Sequence, residues 1–195
     1  MLFRVIEHEH LIQALAQGLT ALYQNIFSEP PYFEVFSDEE VRETLTEYLG
    51  EGILLLKYLE REVVGFGAVL PFVKSSLCDM EVVDEDGTPM ILSRVFLEEK
   101  YGFNAECTWY VSDIGVKQCL RGQGFGTEIL SMLITSLPPK TAILLRTSKV
   151  NKATQNFYRS RFSFDLMNIT TDVAQLRQDG TIQADKRVIM AKVVE

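Results

Sequence analysis

Residues 107–147 constrain this chain more than any other stretch. Cys107 to Val116 is a near-continuous run of apolar and small residues, as expected of a strand covered on both faces. It leads through Lys117-Gln-Cys-Leu-Arg121 into Gly122-Gln-Gly124-Phe-Gly126-Thr127, with glycine on alternate positions. An apolar-periodic helix follows, carrying Ile129, Leu130, Leu133, Ile134 and Leu137 and closed by Pro138-Pro139. Ala142 to Thr147 is a second apolar strand, so the strand–helix–strand order makes the two strands parallel, joined by a right-handed crossover. A glycine loop between a strand and a helix start is a site for an anion. Unpaired N–H groups of the first helical turn point outward, the helix dipole adds positive potential, and glycine lets the backbone come close. Arg121 stands at the loop's entry, where a guanidinium can pair with phosphate oxygens.

The spacing narrows the ligand. A nucleotide-triphosphate loop requires Gly-Lys followed by Ser or Thr, and no lysine follows Gly126. A dinucleotide fingerprint requires G-x-x-G at its end and an acid about twenty residues on. Here the glycines alternate, and Leu144-Leu145-Arg146 fills the acidic position. A tight turn whose glycines serve only strand-to-helix packing is the alternative to any anion site.

Charge is divided along the chain. The net charge of −8 argues against nonspecific nucleic-acid binding. Residues 28–62 hold ten acids against Arg42, Lys57 and Arg61, whereas residues 115–161 hold eight bases against Glu128 alone. The second segment suits an anionic ligand; the first suits a cationic partner or is a solvated face. Cys78, Cys107 and Cys119 lack the spacing of a zinc site or a disulfide framework, and no metal is expected. His8 and His10 read as surface residues, and Asp84-Glu-Asp-Gly87 as a turn rather than a calcium loop. The first ten residues lack the pattern of a signal peptide and no apolar run is long enough to cross a membrane, so a cytoplasmic location is expected.

Taken in order, Leu2 to Ile6 is a weak first strand. Residues 9–27 place Ile12, Leu15, Leu19, Leu22 and Ile26 at the spacing of one amphipathic helix, broken by Ser28-Glu-Pro-Pro-Tyr32. Ser37-Asp-Glu-Glu40 is a capping box opening a helix that carries Val41, Leu45, Tyr48 and Leu49. Ile53–Leu59 and Glu62–Phe72 form a hairpin, and 73–106 is an irregular stretch with a turn signal at 84–87, between Met80-Val83 and Met90-Leu92, and a helix across 93–100. Asn151 opens a helix to about Arg161. Two late strands, 164–173 and 187–194, enclose a bend at Asp179-Gly180. The element order defines an α/β fold with a mixed sheet of about seven strands and no linker dividing it.

Arg121-Gly-Gln-Gly-Phe-Gly126 resembles the acyl-CoA pyrophosphate loop of the GNAT N-acetyltransferase superfamily. Leu144-Leu-Arg-Thr-Ser148, then Asn151 and, seven residues later, Tyr158, is similar to that family's fifth strand and fourth helix. The likeness extends over nearly the whole chain, with 73–106 longer than usual and Phe162-Ser-Phe164 in place of the usual Gly-Phe. It implies one domain spanning residues 1–195, with a mixed, mostly antiparallel sheet flanked by helices and a central parallel pair that splays apart. It also implies transfer of acetyl from acetyl-CoA to an amine, by a monomer or homodimer with no membrane or nucleic-acid partner.

Under that resemblance Ile114, Gly115, Val116 and the loop residues Arg121, Gly122, Gln123, Gly124, Phe125, Gly126 and Thr127 hold the cofactor, together with Asn151, Phe157 and Tyr158. Tyr158 is placed to protonate the departing thiolate. A base is useful, since an amine of pKa about 10.4 is neutral in only about one molecule per thousand at pH 7.4. In relatives it often projects from the fourth strand, on the face shared here by Tyr110, Ser112 and Ile114; no carboxylate lies on that face, since alternation turns Asp113 away. Tyr110 and Glu106, at the strand's entry, are the remaining catalytic candidates, and Tyr32, Glu34 and Ser112 the acceptor-binding ones. A noncatalytic acyl-CoA sensor of the same fold is the alternative function.

Overall fold

The computed structural model describes residues 1–194. Six helices alternate with nine strands: β1 (Leu2–Val5), α1 (His8–Ala16), α2 (Leu19–Ser28), α3 (Asp38–Glu51), β2 (Ile53–Leu59), β3 (Glu62–Pro71), β4 (Met80–Asp84), β5 (Pro89–Leu92), α4 (Arg94–Tyr101), β6 (Thr108–Val116), α5 (Phe125–Thr135), β7 (Ala142–Ser148), α6 (Lys152–Phe162), β8 (Asp165–Leu176) and β9 (Ile182–Val193). Contacts divide them into two compact units, each assembled from separated stretches of chain.

The first unit comprises residues 1–70, 112–136 and 176–181. Its strands follow the order β1-β2-β3-β6, with β6 entering from Ser112 onward. Antiparallel pairing joins β1 to β2 and β2 to β3. Helices α1, α2 and α3 cover this sheet, burying Leu11, Ala14, Leu19, Leu22, Tyr23, Val41, Leu45 and Tyr48 among Leu54, Leu56, Phe66 and Ala68. The expected single helix over 9–27 is two helices. Gly18 takes a left-handed φ of 96°, and the last N–H groups of α1 turn back onto Gln13, Ala14 and Leu15. The break shifts the helical phase: Leu11 and Ala14 are buried, while Ile12, expected in the core, is 65% exposed. Ser37 caps α3 as expected, accepting from Glu40 N–H while Glu40 accepts from Ser37 N–H, which holds the Glu40 carboxyl below its ordinary pKa.

The second unit comprises residues 71–111, 137–175 and 182–195, with strand order β6-β7-β9-β8-β4-β5. Here β6 contributes Thr108–Val111, which run parallel to Ala142–Leu145; the ladder comprises these four pairs. β7 and β9 pair antiparallel over seven residues, from Ala142 opposite Val193 to Ser148 opposite Arg187. The strand count of about seven is corrected to nine, because β4 and β5 are paired strands and β4 joins β8 through Val83 and Asp84. The Asp84 turn between them needs no ion: its Oδ1 accepts from the N–H groups of Asp86 and Thr88 at 3.0 and 2.8 Å. Ser93 caps α4 by accepting from Phe96 N–H. Phe72, Leu77, Val82, Leu92, Leu97, Tyr110, Leu144 and Ile189 form the core of this unit.

Candidate active site

The sequence-derived candidates are distributed over both units. The first contains Tyr32, Glu34, Ser112, Ile114, Gly115, Val116 and Arg121 to Thr127; the second contains Glu106, Tyr110, Asn151, Phe157 and Tyr158.

In the first unit the end of β6 is pinned by Lys117 N–H donating to Val64 O at 2.9 Å. A single short turn, Gln118–Leu120, then delivers Arg121 to the loop. Gly122 and Gly124 have φ of 79° and 88°, a region costly for any other residue, and a Cβ on either would meet nothing within 4 Å. The loop therefore faces outward. Gly124 is the N-cap of α5 and offers no side chain to the helix. Glu128 N–H donates to Gly124 O at 2.9 Å; among the described residues the main-chain N–H groups of Gly122 to Thr127 meet no main-chain acceptor. Six donors at the positive end of an eleven-residue helix fit a diphosphate, which supplies several acceptor oxygens at once.

Two ion pairs brace this loop, and neither partner is named by a motif. Lys57 of β2, its side chain 8% exposed, pairs with Glu128 in the first turns of α5. The same ammonium lies 4.7 Å from the centroid of the Phe125 ring. A buried ammonium is tolerated only when paired, so this contact fixes the helix start to the sheet. Arg121 donates from Nε to Val116 O at 3.0 Å and pairs through Nη1 with Glu29, just past the end of α2. A diphosphate at this loop thus meets a guanidinium already oriented by a carboxylate. Behind the loop's approach, α2 lies against β6: a Cβ on the buried Gly115 would stand 2.8 Å from Ile26 Cδ1.

Strand alternation assigns Ser112 and Asp113 to opposite faces, but Tyr48 joins them. Its hydroxyl donates to Asp113 Oδ2 at 2.5 Å and accepts from Ser112 Oγ at 3.1 Å. Tyr23 donates to the same Oδ2 at 2.7 Å. No carboxylate was expected on the face of Ser112, and Asp113 is linked to that face only through the Tyr48 hydroxyl. Burial raises the Tyr23 pKa well above its ordinary value, and the negative charges of Asp113 and Glu34 add to the effect. Tyr23 therefore remains a donor through the range in which exposed phenols ionise. Glu34 is itself buried, its N–H donating to Phe27 O at 2.9 Å, and Tyr32 packs edge-on to Phe27.

In the second unit Asn151 caps α6, its Oδ1 accepting from Thr154 N–H at 3.2 Å. That leaves its amide nitrogen to reach a ligand. Gln155, a residue the motif does not single out, donates from Nε2 to Ser148 O and Lys149 O, both at 2.9 Å, and locks the helix to the end of β7. Tyr158 is 5% exposed, between Phe157 and Phe164 with ring centroids 5.3 and 5.9 Å away. Ser163 closes α6 in the left-handed region, at the place where the family's usual glycine is absent. Tyr110 is 1% exposed and lies beneath the Arg146 guanidinium, 5.9 Å from its ring. Glu106 stands at the surface before β6 in an exposed pair with Arg94, an interaction worth little in water. Among the described residues no group of three or more His, Cys, Asp or Glu is arranged to hold a metal ion, and no helix is long and apolar enough to cross a membrane.

The outward glycine loop opening α5 and the asparagine-capped α6 with its buried tyrosine are the parts on which the sequence resembles the GNAT superfamily. Residues 19–164 match the acetyltransferase (GNAT) family, and the chain belongs to it. Its fold is similar to that of ribosomal-protein-alanine N-acetyltransferase from Brucella melitensis, with 16% identity, TM-score 0.63, and coverage of 98% of this chain and 99% of that one. It is also similar to the ribosomal-protein-S18-alanine N-acetyltransferase of Escherichia coli (14% identity, TM-score 0.60, 100% and 95% covered). A third likeness is to an N-acetyltransferase from Staphylococcus aureus Mu50 (12%, TM-score 0.61, 100% and 99%). At these identities the likeness is one of fold. No curated protein matches the chain.

Proposed function

We propose that this protein is an N-acetyltransferase that transfers acetyl from acetyl-CoA to a primary amine by direct attack on the thioester. The observation that carries the reading is the row of unpaired main-chain donors from Gly122 to Thr127 at the start of α5. They bind the coenzyme's diphosphate, with Arg121 sharing its charge between Glu29 and the phosphates. Main-chain groups of Ile114 to Val116 hold the pantetheine and donate to the oxygen that becomes negative as the amine attacks.

Tyr158 gives its proton to the thiolate as the carbon–sulfur bond breaks. A thiol of pKa about 8.5 is an undemanding leaving group, so a phenol of pKa about 10 is an adequate acid. The acceptor's own proton leaves to solvent water. Asp113 is ill suited to take it, because Oδ2 already accepts from two phenols. Glu34, buried in the loop after α2, supplies negative charge for the incoming ammonium.

Calorimetry is expected to give a micromolar or tighter dissociation constant for acetyl-CoA, and release of coenzyme A thiol should accompany addition of an acceptor from a panel of amines. Absence of binding removes the proposal; binding with silence toward every amine favours a sensor of the same fold. In Tyr158→Phe, turnover should fall about a hundredfold or more while acetyl-CoA affinity stays within twofold. Unchanged turnover would show that the proton comes from elsewhere.

A further inference from the structure

Arg177 stands out among the charged groups of the first unit. It lies just past β8 in a turn closed by Arg177 N–H to Thr181 O at 2.8 Å and Gly180 N–H to Arg177 O at 2.9 Å. Asp179 tightens that turn by accepting from Thr181 N–H and Oγ1 at 2.9 and 2.7 Å. Arg177 stands opposite Glu34 in an antiparallel bridge, next to Val35 N–H donating to Leu176 O at 3.1 Å. The residue is 8% exposed, and its Nε and Nη1 are buried with no hydrogen-bond acceptor among the described residues. Residues directly opposite in such a bridge project their side chains to the same side. Even so, the neighbouring carboxylate leaves these two nitrogens unmet. A guanidinium keeps its proton at any accessible pH, so it cannot escape the cost of burial by neutralising. Its charge reaches Asp179 in the same turn and, after the Thr181 hydrogen bonds, helps to hold that carboxyl below its ordinary pKa, yet Nε and Nη1 stay without an acceptor among the described residues.

We propose that Arg177 receives a carboxylate of the acceptor, so that the amine acetylated belongs to an amino acid or another small amine bearing a carboxylate. The inference rests on the acetyltransferase reading above and adds the acceptor class to it. The donor's diphosphate is met by the amides after Arg121, so Nε and Nη1 of Arg177 are left for another anion. A monoanion suits the place better than a phosphate dianion, because the buried Glu34 repels added negative charge. The surroundings also suit the rest of a small organic acceptor. Tyr32, in the same loop as Glu34, packs edge-on to Phe27 with centroids 6.2 Å apart. Phe33, Val35 and Leu176 stand exposed beside the bridging pair, giving an apolar rim.

The test compares free L-amino acids with their C-terminal amides as acceptors, in the wild type, Arg177→Gln and Arg177→Lys. The wild type should favour the acids at least about tenfold in kcat/KM, since a buried charge left unpaired rejects the neutral analogue. Arg177→Gln should erase that preference and Arg177→Lys retain part of it, both with acetyl-CoA affinity within twofold of wild type. Free amino acids, and not their amides, should also raise the wild-type Tm, a readout that stands even where a variant does not fold. Equal use of acids and amides by a wild type that binds acetyl-CoA overturns this inference and leaves the acetyltransferase reading intact. Absence of acetyl-CoA binding overturns both. Preference surviving in Arg177→Gln overturns it as well. So does a loss of affinity in that variant for acetyl-CoA but not for its 3′-dephospho form, which would assign the guanidinium to the donor's phosphate.

Discussion

Gly124→Glu is expected to weaken acetyl-CoA binding by about two to three orders of magnitude while leaving a folded protein. Two effects add. At φ 88° any side chain costs about 1–2 kcal/mol of backbone strain, which pulls the α5 cap and the neighbouring amides out of place. The new carboxylate also stands at the mouth of the anion site, where repulsion from a phosphate about 4 Å away reaches about 4 kcal/mol at the effective dielectric of a protein surface. Open space around the Cβ position means that the core is not disturbed. Calorimetry reads the first outcome, and a thermal melt shifted by only a few degrees reads the second. Gly124→Ala, carrying strain without charge, should fall between. Wild-type affinity in Gly124→Glu would show that the diphosphate binds elsewhere.

The second large effect is one of stability. Asp113→Ala leaves the hydroxyls of Tyr23 and Tyr48, both buried, without their shared acceptor. Each unmet hydroxyl costs about 1–3 kcal/mol, so the loss is about 2–6 kcal/mol, a large share of the stability of an ordinary domain. For a chain of this size the melting temperature should drop by about 5–15 °C. Asp113→Asn, which keeps an oxygen at the same place, should recover about half of it. A denaturant midpoint for Asp113→Ala equal to the wild type would show that the cluster is not an anchor. The contrast with Gly124→Glu is informative: one substitution spares the fold and removes the ligand, the other loosens the frame that carries Ser112 and Ile114.

The glycine loop and the helix it opens were legible because their requirements are local. Glycine at 122 and 124, an arginine before them and an apolar helix after them can be read from neighbouring residues, and Asn151 and Tyr158 follow from spacing within one helix. Ser37 and Glu40 are legible for the same reason, as a cap is a four-residue device. The α1–α2 break was missed because Gly18 leaves the apolar periodicity almost intact on either side; only the burial of Leu11 in place of Ile12 reveals the change of phase. β4 and β5 were read only as the flanks of a turn, since pairing with β8 joins residues nearly ninety positions apart, such as Val83 and Thr170. The Asp113 cluster and the Lys57–Glu128 pair were illegible for a related reason. Each depends on side chains brought together by packing, from positions 23, 48 and 113 or 57 and 128, and no single stretch contains the pattern.

The threading of the first unit has a consequence for how the protein is made. Its last piece, residues 176–181, is synthesised more than a hundred positions after residues 1–70. Helices α1 to α3 and the β2–β3 hairpin leave the ribosome long before Ser112–Ser136 exists, and Arg177 arrives later still. At roughly 5–20 residues per second the nascent amino-terminal segment waits several seconds with Phe66 and Val69 lacking part of their final cover. Chaperone demand should therefore be highest for translation intermediates halted between about residue 70 and residue 112, and neither half of the gene expressed by itself supplies all the segments of either unit.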